Sequence, residues 1–169
     1  MLLNDLKQIT VNSFGIAEEV VDSTVVARSP FQSRLTEQLF RWWEKVSVDG
    51  IPQWSAFDIT SHPALASNIY IVKALDCGSF QLRLYGERAI QIIGHNATGE
   101  VITSTSQGAI SEHLHSYFTR VLAAGKCWRC RGPLLYAGRE HRQFESIDIP
   151  MCRYGPEPDT ILGVIDLLK

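Results

Sequence analysis

Alternation of apolar and polar residues predicts β-strands in the middle of the chain. Phe80, Leu82 and Leu84 alternate with polar neighbours, as in a strand that has two different faces. The segment 68–75 is rich in Ile, Tyr and Val, and turn residues at 76–79 join it to the Phe80 strand as a hairpin. Three more strands are expected near the end of the chain, at 126–136, 140–149 and 160–168.

Helical spacing of apolar residues predicts three helices. The longest covers 109–124, where one apolar stripe forms and Gly125 provides a C-terminal stop. A short helix is expected over 87–93. A third is expected to begin at Pro30, and its apolar stripe contains Phe31, Leu35, Leu39, Trp42, Trp43 and Val46.

Two features predict where strands lie in the sheet. Pro133 has no N–H to donate, so the strand 126–136 is expected at an edge. The strand 160–168 is apolar on both faces, which is typical of a central strand that is covered on both sides. Residues 1–28 are expected to form a loosely organised arm with one short strand or helix.

The chain contains a central motif made of Ala89, Ile92, Ile93, Gly94, Gly99, Glu100, Val101 and Ile102. This motif, the closing strand 161–166 and the order of the elements resemble a PAS domain. The lead-in from Pro52 to Phe57 and Asp58 resembles that of a stand-alone bacterial PAS subtype.

The resemblance implies an α+β fold. We expect a five-stranded antiparallel sheet in the order 2-1-5-4-3, with helices on one face and an N-terminal helical extension. Residues 1–66 would form the arm, helix and lead-in loop, and residues 67–169 the PAS-like domain.

The resemblance also implies a sensory or regulatory module rather than an enzyme, with signals leaving through a partner protein. A small ligand would lie between the sheet and the helices. Haem-binding members of the family use a histidine of the long helix, which makes His113 and His115 candidate ligands, although the cofactor is not identified. The predicted ligand-binding residues are Ile92, Ile93, Leu114, Tyr117, Phe118 and Trp128.

The helix from Pro30 has more apolar surface than one sheet face needs. Such surfaces usually mark an interface, so a homodimer is expected. The predicted interface residues are Phe31, Leu39, Trp42 and Trp43.

Composition excludes several classes of protein. The net charge of -2 and the pI near 6.2 argue against binding to nucleic acid or to an anionic membrane. No apolar run approaches the length of a membrane span, and the first residues lack the pattern of a signal peptide, so we expect a cytoplasmic protein.

Cys127 and Cys130 form a C-x-x-C motif, but no second pair or suitably spaced histidine completes a zinc site. On a strand, residues three apart point to opposite faces, which predicts that the two thiols do not share a ligand.

Two other functions remain open. A small acid–base enzyme on a cone-shaped α+β fold would take its catalytic pair from Asp58, His113, Glu145 and Asp148. A ligand-free dimerisation scaffold would have a solid core, and the sequence does not distinguish a core phenylalanine from one that lines a cavity.

Overall fold

The computed structural model describes residues 9–134, 138 and 141–169. Its strands form one sheet in the order β1-β2-β6-β7-β8-β3-β4-β5, and all neighbours are antiparallel. The strands are β1 Thr10–Val11, β2 Ala17–Val20, β3 Ile69–Ala74, β4 Phe80–Tyr85, β5 Val101–Ile102, β6 Trp128–Pro133, β7 Gln143–Met151 and β8 Thr160–Leu167.

The sheet has eight strands, not the five that were predicted. Within it, β4, β3, β8, β7 and β6 are neighbours in that order, and the additional strands extend both ends. At one end β2 pairs with β6, where the buried guanidinium of Arg129 is bound by Glu19, with Nε 2.7 Å from Oε1. A buried charge requires such a partner, so the N-terminal arm completes the sheet beside β6.

Strand β6 is therefore not an edge, contrary to the expectation based on Pro133. It pairs with β2 on one side and with β7 on the other. Pro133 pairs with Gln143 at the last position of the strand, whereas the pairing with β2 ends at Arg131. The missing N–H of proline therefore removes no bond to β2.

Four α-helices accompany the sheet in the part of the chain that the structure describes. They are α1 Ser23–Arg28, α2 Arg34–Val46, α3 Glu87–Ile93 and α4 Ala109–Ala124. Helix α4 has the predicted bounds and ends at Gly125, whose φ of 61° is readily adopted only by glycine. Helix α2 begins later than Pro30, because the hydroxyl of Ser33 accepts hydrogen bonds from the N–H groups of Leu35 and Thr36 and so caps it.

The helices cover both faces of the sheet. Helices α3 and α4 contribute Ile92 and Phe118 to one apolar core, and α1 and α2 contribute Val26 and Leu39 to another. Strand β8 serves both cores as predicted for a central strand: Ile161 and Ile165 face α3 and α4, while Leu162 and Val164 face α2.

Some predicted segments lie outside the described residues. They are the first eight residues of the arm, the end of the strand 126–136 at 135–136, most of the turn at 137–139, and residue 140. Among the described helices, none combines the length and the apolar character that crossing a bilayer requires.

Candidate functional site

A line of paired residues across three strands builds the candidate site. Tyr70 of β3 pairs with Gly163 of β8, and Gly163 pairs with Asp148 of β7. A Cβ atom on Gly163 would lie 2.1 Å from Cζ of Tyr70, so the tyrosine ring occupies the space that a side chain on β8 would need. The glycine thereby allows Tyr70 to reach across β8 to Asp148.

Asp148 is buried, and it accepts a hydrogen bond on each carboxylate oxygen. The hydroxyl of Tyr70 lies 2.5 Å from Oδ1, and the hydroxyl of Tyr117, from α4, lies 2.6 Å from Oδ2. An ionised carboxylate has about four lone-pair sites, so two hydroxyl donors leave it with capacity for further donors.

Burial controls the ionisation of this group. Loss of hydration raises the pKa of Asp148 from 3.8 to about 6, although the two tyrosine hydrogen bonds act in the opposite direction and nearby Glu18 adds to the rise. Burial and the charge of Asp148 raise the pKa values of Tyr70 and Tyr117 well above 10, so both remain hydroxyl donors at neutral pH.

A cavity of about 90 Å³ lies between the sheet and α4, with Asp148 in its wall. Its other walls are largely aromatic and aliphatic: Ile16, Tyr70, Tyr85, Ile93, His113, Leu114, Tyr117, Phe118, Cys130, Leu134, Phe144, Ser146 and Ile165.

The N-terminal hairpin of β1 and β2 closes one side of this cavity. Ile16 supplies part of the wall, and the ring of Phe14 packs edge-on against His113 with centroids 5.6 Å apart. Nδ2 of Asn12 lies 3.4 Å from Nε2 of His113 and 3.3 Å from Oε1 of Glu18. Residues that are distant in sequence thus meet at one cavity.

Four of the six predicted ligand-binding residues line the cavity: Ile93, Leu114, Tyr117 and Phe118. Ile92 does not, because it lies fully buried in the apolar core. Trp128 does not line it either; its ring packs edge-on against Tyr117 with centroids 6.0 Å apart. Its buried indole N–H has no hydrogen-bond partner among the residues that the structure describes.

The ligand-binding prediction from sequence missed the polar centre of the cavity. Asp148 was considered only as an enzymatic acid or base, and Tyr70 only as a strand residue. One signal was available: Asp148 is a charged residue between Ile147 and Ile149 in a strand of otherwise buried side chains. Buried charges of this kind are rare unless they are paired or functional.

The other three acid–base candidates lie in different parts of the structure. His113 lines the same cavity as Asp148, and burial lowers the pKa of its ring below 6.5. Glu145 belongs to the opposite face of the sheet, where it binds Arg131, with Nε 2.6 Å from Oε2. Asp58 is exposed, and hydrogen bonds from Thr60 lower its pKa.

The cavity does not fit a porphyrin. At about 90 Å³ it is far smaller than the roughly 300–1,000 Å³ of pockets that hold drug-sized ligands. His113 lies against Asn12 and Phe14, and Nε2 of His115 lies 2.9 Å from the carbonyl oxygen of Gly78. Nε2 of each histidine thus already has a polar neighbour within the chain.

The two thiols of the C-x-x-C motif face opposite sides of the sheet, as predicted. Cys130 lies in the core beneath α4, and Cys127 lies in the core beneath α2. Burial raises the pKa of both thiols well above 9, so neither is a thiolate at neutral pH.

Two of the four predicted interface residues pack inside the chain. Leu39 and Trp42 are buried in the core between α2 and the sheet. The sequence prediction underestimated this core, because α2 packs on β7 and β8 and also against Leu65, while Phe57 packs edge-on against Trp42. Phe31 and Trp43 remain partly exposed.

Comparisons with models of known protein families and with curated proteins find no match. Among solved structures, the chain is similar to the PAS domain of BvgS from Bordetella pertussis. The two are 18% identical with a TM-score of 0.48, over 66% of this chain and 86% of that one. That structure is of the family that the sequence resembles.

Proposed function

We propose that this protein is a sensory or regulatory module of the PAS type that binds a small molecule and does not change it chemically. The observation that supports this most is the cavity under α4, which combines apolar walls with one buried carboxylate, Asp148. An apolar cavity with a few polar groups is the usual form of a small-ligand site.

We infer that ligand binding in the cavity is communicated to a partner protein through the elements that enclose the cavity. The hairpin of β1 and β2 contacts His113 at the cavity wall through Asn12 and Phe14. A ligand that moves His113 therefore also moves an element at the end of the sheet, where a partner can detect it.

Leu114→Trp tests ligand binding in the cavity. Leu114 is partly buried on α4 and lines the cavity, so an indole at this position fills it, and we expect binding to be lost. Overpacking should lower the free energy of unfolding by about 1–3 kcal/mol. Ligands for this test come from thermal-shift screening and from native mass spectrometry of the wild-type protein.

Leu122→Trp is the matched control. Leu122 lies on the same helix and packs against the same core, but it does not line the cavity. It should reduce stability to a similar extent and leave ligand binding intact. If no ligand stabilises the wild type, or if Leu114→Trp binds as tightly as Leu122→Trp, the sensor proposal fails.

One observation favours an enzyme as the second candidate, namely that Asp148 and His113 line the same cavity. A carboxylate with a pKa of about 6 and a neutral imidazole are suited to exchanging a proton with a substrate. NMR spectra of a bound ligand after prolonged incubation distinguish the two candidates, because a sensor returns the ligand unchanged and an enzyme accumulates product.

We also propose that the protein is a homodimer that uses the exposed parts of Phe31 and Trp43. Trp43→Ala should weaken the dimer, which sedimentation at micromolar concentration measures. Trp42→Ala should instead lower the free energy of unfolding by about 3–5 kcal/mol, because that indole is buried in the core. A wild type that sediments as a monomer contradicts this proposal and leaves the ligand site unaffected.

A further inference from the structure

The charges around the cavity have a negative excess. Asp148 and Glu18 are both buried, at 1% and 2% exposure. Glu18 is bound by the guanidinium of Arg120, with Nη2 3.1 Å from Oε2. The partners of Asp148 among the described residues are the neutral hydroxyls of Tyr70 and Tyr117, so its charge has no cation beside it.

Aromatic rings line the cavity that contains this carboxylate. Tyr70 and Tyr85 are stacked with centroids 5.6 Å apart, and Tyr117 and Phe118 lie 5.9 Å apart on the other wall. Phe144 also lines the cavity. The faces of aromatic rings attract cations, and groups of such rings are a known means of binding substituted ammonium ions.

The volume limits the size of the ligand. An engineered cavity of about 150 Å³ holds benzene, so about 90 Å³ suits a ligand of roughly four non-hydrogen atoms. A group of this size has room for one polar centre and a few methyl groups. The acceptor capacity that remains on Asp148 fits an N–H donor, and the rings fit the methyl groups.

We propose that the cavity binds a small alkylammonium ion, with an N–H that donates to the Asp148 carboxylate and methyl groups that pack against the tyrosine and phenylalanine rings. This inference rests on the proposed ligand-binding function and specifies its ligand class. The ammonium supplies the cation that Asp148 lacks, and the neutral hydroxyls of Tyr70 and Tyr117 hold the carboxylate in position.

Three probes with the same number of non-hydrogen atoms test the charge preference on the wild-type protein. They are isopropylammonium, isopropanol and acetate, and sodium chloride serves as the salt control. We expect isopropylammonium to bind at least about tenfold more tightly than the other two, as measured by NMR titration and by the rise in Tm. The dissociation constants should be weak, because ligands this small offer few contacts.

The outcomes separate the two proposals. If isopropanol or acetate binds as tightly as isopropylammonium, the cavity is a ligand site and the alkylammonium assignment is wrong. If none of the three binds at roughly 50 mM but the thermal-shift screen finds another ligand, only the alkylammonium assignment is wrong; if that screen finds none either, the proposed ligand-binding function fails as well.

Asp148→Asn tests the assigned carboxylate. It keeps the shape of the side chain and removes the charge, so isopropylammonium binding should weaken at least about tenfold while isopropanol binding stays within about twofold. Asp49→Asn makes the same chemical change at an exposed position after α2 and should alter neither. Wild-type affinity for isopropylammonium in Asp148→Asn overturns the proposal.

Discussion

Strand β7 carries two buried carboxylates on opposite faces, and their surroundings differ in kind. Glu145 faces α2, where it binds the guanidinium of Arg131 and accepts hydrogen bonds from the N–H and hydroxyl groups near the start of that helix. Asp148 faces α4, where two tyrosine hydroxyls and a cavity surround it. The first carboxylate is fully used by the fold, and the second retains capacity for a ligand.

The two carboxylates differ in their partners and not in their burial. Burial alone does not separate them, since Glu145 is 0% and Asp148 1% exposed. The partners do. Glu145 has a cation within the chain, and Asp148 has only neutral donors among the described residues. Removing these carboxylates should therefore change stability in opposite directions.

The largest expected effect is that of Glu145→Ala. Loss of this carboxylate leaves Arg131, whose side chain is 18% exposed, without its anionic partner, and it also removes acceptors at the start of α2. We expect the free energy of unfolding in urea to fall by about 3–5 kcal/mol. Glu37→Ala, which removes an exposed partner of Arg41, should change it by about 0.5 kcal/mol or less. Equal losses in the two variants would show that the buried Glu145 contributes no more to stability than the exposed Glu37.

Asp148→Asn should have the opposite sign and should depend on pH. The pKa of Asp148 is about 6 in the folded protein and near 3.8 when unfolded, so the folded state binds the extra proton between these values. Stability from this group is therefore present below pH 3.8 and is lost as the pH rises through 6. The loss amounts to about 2–3 kcal/mol at 1.36 kcal/mol per pH unit.

Urea unfolding of the wild type and Asp148→Asn between pH 4 and pH 7 measures this effect. Burial lowers the pKa of the nearby His113 from 6.5, so its ring also titrates in this range, and the difference between the two proteins is the informative quantity. It should grow in favour of Asp148→Asn as the pH rises. A constant difference would mean that Asp148 does not titrate in this range. The ionisable groups that line the cavity with Asp148 are Tyr70 of β3, Tyr85 of β4, Tyr117 and His113 of α4 and Cys130 of β6, and the ion pair of Glu18 and Arg120 lies next to His113.

Gly163→Ala tests what Tyr70 contributes to the surroundings of Asp148. The added Cβ would lie 2.1 Å from Cζ of Tyr70, so the ring must leave its position over β8 and lose its hydrogen bond to Asp148. We expect a loss of about 1–3 kcal/mol in unfolding free energy and a loss of ligand binding. Gly155→Ala has open space around it and should leave both unchanged. Wild-type binding in Gly163→Ala would show that Tyr70 is not needed.

The elements that could be predicted from sequence are those set by local patterns. Helix α4 has its predicted bounds because an apolar stripe and a terminal glycine both lie within one segment. The cavity depends instead on pairing between distant strands. Tyr70 and Asp148 meet across 78 residues, and nothing near either residue in sequence indicates the other. Ile16 enters the cavity wall from an arm to which no chemistry was assigned.

The added strands were missed for a similar reason. The attachment of β2 is stabilised by Glu19 and the buried guanidinium of Arg129, which are 110 residues apart. Leu39 and Trp42 were assigned to an interface because the depth of the core under α2 depends on Leu65 and on β7 and β8, which lie far along the chain. Helical spacing identifies an apolar face and does not identify what covers it.

The strand order has a consequence for how the protein is made. The cavity takes Ile16 from near the start of the chain, Tyr70 from the middle and Ile165 from the last strand, β8. During synthesis, the pairing of β3 with β8 can form only after β8 has left the ribosome. Pairings between such distant segments form slowly. The nascent chain therefore acquires this cavity only after β8 has been synthesised, and a product truncated before β8 lacks it.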